Sequence, residues 1–281
     1  MQLKDHLKKA QKEKWAVGQF NFCTLEQLRG ILSAARKMKS PVILGTSGGE
    51  SRYLGLKEAV ALVEISKMKY QVDAFLNIDH GKDLSWIKEA VNTGYSAVHY
   101  DGSGESLAKN KENIKKIVSY ARKRGVLVEG ELGSFGGDSS FKEKDIKIKE
   151  KDLTSPEEAV RFVKDAGIDS LAPVVGNVHG VYKKMPKLDL ERLERINKLV
   201  YCFLVLHGGS GLSKRELKNA VKRGVVKVNF NTELRVAWKK ALSEKIKSKS
   251  IKPYEILPSA QKAVQKKVEE KIKILGSFNK I

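Results

Sequence analysis

The stretch Leu76-Asn77-Ile78-Asp79-His80-Gly81 decides how the rest of the chain is read. Apolar residues from Phe75 to Ile78 stop abruptly at a polar pair, which predicts a strand ending at Asp79. Asp79 and His80 then stand side by side where the chain leaves the strand, and Gly81 frees the backbone to turn. A carboxylate beside an imidazole offers an acid/base group next to a metal ligand. Taken alone, such a pair is more often a polar turn with a surface imidazole. Recurrence changes the weighing, because His179-Gly180 and His207-Gly208 follow two later strands.

Outward from that stretch, one unit repeats: a short apolar strand, a polar turn, an amphipathic helix. Ala16 to Phe22 predicts the first strand, with a helix through Leu25, Leu28, Ile31, Leu32 and Ala35. Pro41 to Thr46 is the second strand, and a helix follows over 56–69. Val72 to Ile78 is the third, followed by a helix around Trp86, Ile87 and Val91. Ser96 to Tyr100 is the fourth, and Ile114, Ile117, Val118 and Ala121 mark the next helical stripe. The remaining strands are Val126 to Leu132, Ile168 to Val175, Phe203 to Leu206 and Val225 to Val228. Ser155-Pro156-Glu157-Glu158 and Ser213-Lys214-Arg215-Glu216 read as capping boxes that open helices. Eight such units predict an α/β fold, a single (β/α)8 TIM barrel over 1–281, with extra C-terminal helices from Arg235 to about Ile246 and from Ala260 to Leu275. The connection 133–154 is long, charged and glycine-containing, the pattern of a mobile active-site loop.

Composition narrows the class. Hydrophobic residues make up 41% and charged residues 31%, the balance of a globular protein with a lysine-rich surface. A formal net charge of +21 raises the question of nucleic acid, but the lysines are spread over most predicted helices rather than gathered in one stripe. A basic surface that attracts phosphorylated small molecules is the better account. Cys23 and Cys202 form no CxxC, so reduced thiols and a cytoplasmic setting are expected. No apolar run approaches the ~20 residues of a spanning helix, and the first 20 residues lack a signal-peptide core.

Barrels of this kind place reactive residues at the C-terminal ends of the strands. Asp79 and His80 follow strand three, His179 follows strand six and His207 follows strand seven. Three imidazoles from three strand ends can converge on one ion with an open position, a catalytic zinc arrangement. His6 and His99 lie elsewhere, His99 inside strand four. After strands seven and eight, His207-Gly208-Gly209-Ser210-Gly211 and Asn229-Phe230-Asn231-Thr232 occupy the loops where barrels commonly bind phosphate. Backbone N–H groups, two hydroxyls and a following helix N-terminus suit an anion there.

The chain resembles the class II, metal-dependent fructose-bisphosphate aldolases. The likeness is carried by Gln19-Phe20-Asn21, Leu76 to Gly81, Tyr100-Asp101-Gly102-Ser103 with Glu112-Asn113-Ile114, and Val128 to Gly133. His179 to Lys183, Leu206 to Gly211, Val228 to Glu233 and Leu275-Gly276-Ser277 complete it in order. The resemblance implies zinc on His80, His179 and His207, with Asp79 as general acid/base. It also implies a second metal ion at Asp101 and Glu131, and a monovalent cation. Gly180, Gly208, Ser210, Asn231 and Thr232 would grip the ketone-side phosphate, and Asn229 would contact substrate near the zinc. Ser47 and Asn21 match substrate-facing polar positions. The implied partners are sugar and triose phosphates, with the chain working as a homo-oligomer. One departure stands out: the family's loop glutamate is replaced by Ser139 in Gly136-Gly137-Asp138-Ser139-Ser140, leaving Asp138 or Glu143 as candidate loop bases. Tagatose-bisphosphate aldolases share these motifs. A degenerate barrel that binds phosphate or RNA is the non-enzymatic alternative.

Overall fold

A parallel strand pair needs a crossover between its members, so regularly alternating strands and helices can close into a ring. The computed structural model, which describes residues 1–133, 141–142, 146, 148–183 and 185–281, has that ring. Its strands are β1 (Val17–Asn21), β2 (Val42–Ser47), β3 (Ala74–Gly81), β4 (Ala97–Tyr100), β5 (Leu127–Leu132), β6 (Ser170–Pro173), β7 (Phe203–Leu206) and β8 (Val225–Phe230). They form a closed barrel in sequence order, each parallel to the next, and β8 returns to pair with β1. All eight strands predicted from the sequence are present. Outside the barrel, Phe141–Lys142 pairs with Val181–Tyr182. The loop residues Gly136, Gly137, Asp138, Ser139, Ser140 and Glu143 lie outside the described residues.

The helices are α1 (Leu3–Glu13), α2 (Leu25–Met38), α3 (Gly48–Leu54), α4 (Leu56–Tyr70), α5 (Leu84–Thr93), α6 (Leu107–Arg122), α7 (Pro156–Ala166), α8 (Leu190–Leu199), α9 (Lys214–Lys222), α10 (Thr232–Ile246), α11 (Pro253–Ile256) and α12 (Pro258–Leu275). The box at Ser213 is complete, with Glu216 reaching back to the cap. At Ser155 only half forms: the hydroxyl accepts the Glu158 N–H and donates to Glu157 Oε2. In α12, Val264, Val268, Ile272 and Leu275 make a fully buried stripe, each side chain stabilising by roughly 1.5–3 kcal/mol on burial. The stripe lies against α2 at Gly30, where a Cβ would come within 2.7 Å of the Gln261 carbonyl. None of the described helices is long and apolar enough to cross a membrane.

The sequence reading begins the fold at Ala16 and so misses α1. Leu3, Leu7 and Ala10 of that helix pack with Trp15, Val17, Ile43, Phe75, Ala97, Phe203 and Val226, closing the end of the barrel where the strands begin. His6 faces the same way, fully buried, with Nε2 at 2.7 Å from Asp73 Oδ2. Burial is the largest influence on this imidazole and holds its pKa below 6.5 against the opposing pull of Asp73. The unfolded chain therefore takes up the proton first as the pH falls. The resulting stability is complete above about 6.5 and is lost as the pH drops through the lowered folded value. Melting temperature should fall over that window in the parent, and His6→Gln should flatten the slope. Parallel curves for the two proteins would show that this histidine does not report on α1 docking.

Strand three departs from its expected end in a way that matters for chemistry. β3 continues through Asp79 and His80 to Gly81. The β3–β4 register shifts between Ile78 and Gly81, and His80 takes a left-handed backbone, φ 51°. A regular strand would send Asp79 and His80 to opposite faces; a bulge re-aims a side chain. The turn assigned to Gly81 is made by His80 instead. Gly81 is needed for closeness, since a Cβ there would meet Ile78 and Ile87 within 2.9 Å.

Candidate active site

The histidines at the ends of β3 and β7 and in the loop after β6 come together at one end of the barrel. Ring centroids are 4.5 Å apart for His80 and His179, 4.6 Å for His80 and His207, and 5.9 Å for His179 and His207. His207 is the innermost, fully buried. Its Nε2 lies 2.7 Å from Glu129 Oε1, while Nδ1 faces His80 Nε2 at 2.9 Å. A carboxylate on one nitrogen orients an imidazole and leaves the other for a metal. Glu129 is in turn paired with Lys227 at 2.6 Å, deep in the barrel. Neither Glu129 nor Lys227 stands out in the sequence reading. Their one signal is a charged residue within a buried strand.

Asp79 is 5% exposed, and both of its oxygens are held by amides. Asn21 Nδ2 donates to Oδ2 at 2.9 Å and Asn229 Nδ2 donates to Oδ1 at 3.0 Å. Burial by itself would raise the pKa of this carboxyl, yet the charge of His80 foremost, with that of Lys227, holds it well below the usual range. His80 shows the converse: burial opposes its charge, but Asp79, Asp101 and Glu131 outweigh that and raise the pKa to about 9. Burial and the neighbouring imidazoles push His179 well below its ordinary value.

Two carboxylates complete the cluster. Asp101 Oδ2 and Glu131 Oε2 each lie 3.5 Å from His80 Nδ1, and Ser103 braces Asp101 through a 2.6 Å hydrogen bond. Glu131 Oε2 is buried and makes no hydrogen bond. Donor separations near 3.5 Å suit a tetrahedral ion whose bonds to nitrogen and oxygen are about 2.0–2.2 Å. The donor set of imidazoles and carboxylates, its imidazoles neutral once an ion is bound, therefore fits a divalent cation. Placing His99 apart from the site is a misreading: its ring is 4.7 Å from His80 and 4.8 Å from His207. The donor atoms of Asp79, His80, His99 and His207 all fall within 4.8 Å of one another. Strand four points this residue inward, toward the other histidines.

The residues expected to hold phosphate share one small cavity with Asp79, the expected acid/base, and with two of the expected metal ligands. Gly180, Gly208, Ser210, Asn229, Asn231 and Thr232 line it together with Asp79, His80 and His179. Gly208 has φ 65°, and a Cβ there would strike the Val178 carbonyl at 2.0 Å, so the loop depends on glycine. Thr232 opens α10, whose N-terminus favours an anion. Glu233 backs the loop by accepting the Gly211 N–H at 2.7 Å and pairing with the buried Lys271.

Ser47 stands opposite Asp79 in the β2–β3 register, but its hydroxyl is occupied in capping α3, where it accepts the Glu50 N–H. Glu50 is the residue the sequence reading missed at this edge. It is buried, accepts hydrogen bonds from Asn21 and Asn231, and pairs with Arg235. It thereby links the amide that holds Asp79 to one that lines this small cavity. A larger cavity of about 760 Å³ lies at the opposite end of the barrel, bordered by α1 and by Phe75, Tyr95, Val126 and Val128, away from the histidines.

Comparisons with known proteins agree along the whole chain. Residues 1–280 match the family described as fructose-bisphosphate aldolase class-II. A fructose-bisphosphate aldolase of Geobacillus stearothermophilus is 38% identical over 283 residues, covering 99% of this chain and 97% of that protein. A sulfofructosephosphate aldolase of Alkalicoccus urumqiensis is 36% identical over 282 residues, covering 99% and 96%. Among solved structures, the YdjI aldolase from Escherichia coli K12 superposes with a TM-score of 0.87 at 30% identity, covering 99% of this chain and 98% of that one.

Proposed function

The chain belongs to the class II fructose-bisphosphate aldolases, aldehyde-lyases that cleave a ketose bisphosphate into two triose phosphates, and from that premise we propose how its residues divide the work. The observation that carries the proposal is Asp79, ionised and gripped on both oxygens beside three converging imidazoles. His80, His179 and His207 would hold a zinc ion, with Asp101 and Glu131 available to a second ion. When bound, zinc supplies Lewis-acid polarisation of the substrate carbonyl.

The protein groups do the rest. Gly180, Gly208, Ser210, Asn231, Thr232 and the N-terminus of α10 bind the ketone-side phosphate and fix the sugar against Asp79. Asp79 takes the proton of the C4 hydroxyl as the C3–C4 bond breaks and glyceraldehyde 3-phosphate departs. The positive surroundings that keep Asp79 ionised also make its protonated form a strong acid. In the condensation direction the proton is therefore readily returned to the aldehyde oxygen. Asn229, whose Oδ1 is buried without a hydrogen bond, is placed to accept a substrate hydroxyl. The C3 proton that completes dihydroxyacetone phosphate falls to the loop 133–154, through Asp138 or Glu143 in place of the glutamate that Ser139 replaces. One barrel over 1–281 carries all of these roles.

Fructose 1,6-bisphosphate is the expected substrate, with the tagatose epimer differing only at C4 and the sulfofructose phosphate named for one relative as comparisons. Coupled triose-phosphate assays of the zinc-loaded protein on the three sugars should show the highest kcat/KM for fructose 1,6-bisphosphate. A clear preference for either of the others reassigns the substrate. No cleavage of any of them removes the aldolase reading.

A further inference from the structure

His99 is fully buried among the ligand-type side chains, and its two ring nitrogens have different neighbours. Nδ1 accepts the backbone N–H of His80 at 3.0 Å. That N–H belongs to the bulged residue, where the β3–β4 register is interrupted between Ile78 and Gly81. A buried N–H needs a partner, and the imidazole supplies one. A neutral imidazole that accepts through one nitrogen carries its proton on the other. Nε2 of His99 therefore presents an N–H toward Glu131, whose Oε2 is 3.3 Å away without full hydrogen-bond alignment. With Nδ1 occupied and Nε2 protonated, this ring has no lone pair left for a metal, although it sits within the donor cluster.

We propose that His99 is a positioning residue of the metal centre: one nitrogen anchors the bulge that carries His80, and the other aims the Glu131 carboxylate. The topology suits this role, because β4 lies between β3 and β5, the strands that bear His80 and Glu131. A single side chain on the middle strand thus sets the 3.5 Å approach of His80 Nδ1 to Glu131 Oε2. Glu131 keeps a lone pair on the same oxygen that faces His99, so a small rotation can share it between the N–H and an ion. Polar partners that orient metal ligands typically account for ~10–100-fold in metal affinity. The inference rests on the reading of His80 and Glu131 as metal-facing groups.

Nitrogen-15 histidine labelling of the full chain tests it directly, since the five imidazoles can be assigned by substitution. In the metal-free protein His99 should be the Nε2–H tautomer, and it should stay so when zinc chloride is added while His80, His179 and His207 change to metal-bound patterns. A His99 ring that is protonated on Nδ1, or that itself acquires a metal-bound pattern, overturns the proposal. Zinc that perturbs none of the histidines overturns the metal-site reading and this inference with it. Chelator competition supplies the second measurement. His99→Met should bind zinc ~10–100-fold more weakly, and His99→Gln, which retains one acceptor and one N–H donor, should recover most of the loss. Equal zinc affinity in the parent and His99→Met also overturns it, and the tautomer spectrum decides the matter if either variant fails to fold.

Discussion

Dialysis against a strong chelator is expected to lower aldol cleavage by ~10³-fold or more, and stoichiometric zinc to restore it. The estimate follows from the several kcal/mol that a Lewis acid supplies at a polarised carbonyl, each 1.36 kcal/mol being tenfold in rate. Among the described residues no lysine beside the histidines is placed as a substitute. Lys227, a lysine inside the barrel, is ion-paired with Glu129 at 2.6 Å and is not presented as a free amine. Borohydride should therefore trap no substrate on the chain. Full activity in metal-free protein, or a reduced lysine adduct, would overturn the division of labour proposed for the histidines. Zinc uptake should also strengthen as the pH rises toward 9. His80 in the metal-free protein, with its pKa raised to about 9, must give up a proton to bind the ion.

Asp79→Asn should reduce cleavage of the ketose bisphosphate by ~10²–10⁴-fold, the usual contribution of a positioned proton-transfer group. The geometry adds to the loss. Both carboxylate oxygens accept an amide N–H, from Asn21 and Asn229, so an asparagine would turn its own N–H₂ against one of those donors. Exchange of the C3 proton of dihydroxyacetone phosphate with solvent should survive under the proposed division of labour, in which Asp79 serves the C4 oxygen alone. Asp138→Asn or Glu143→Gln, whichever residue is the loop base, should lower cleavage and exchange together. Equal loss of both reactions in Asp79→Asn, with zinc still bound, would show that the carboxylate serves C3 as well.

Periodicity made the barrel legible. Eight apolar runs of four to eight residues, each ended by a polar turn, mapped onto eight strands, because burial against the surrounding helices demands such runs. The helix at the N-terminus escaped notice since its apolar face is only Leu3, Leu7 and Ala10 plus a histidine, a pattern dominated by lysine. At the site, the three His-Gly strand ends were readable because they repeat a motif. His99, Glu129, Lys227 and Glu50 were not, as each acts through a partner distant in sequence: Glu131, His207, Glu129 and Arg235. Nor could spacing alone reveal the bulge at His80, which depends on how two neighbouring strands fall into register.

The column of charge beneath the histidines has a consequence for the life of the chain before it ever meets a sugar. Asp79, Asp101, Glu129 and Glu131 are gathered around Lys227 and imidazoles that a metal requires in neutral form. Four negative groups against Lys227 and the exposed Lys82, which lies 3.5 Å from Asp101, is an imbalance that the empty protein relieves by protonating histidine, as His80 does. An ion that binds the folded form alone shifts the folding equilibrium in proportion to its free concentration. Newly made chains would thus be sorted by metal supply: those that find their ion gain resistance to proteolysis, and those that do not remain open to turnover. Catalyst abundance would then follow the zinc available to the cell as well as the rate of synthesis.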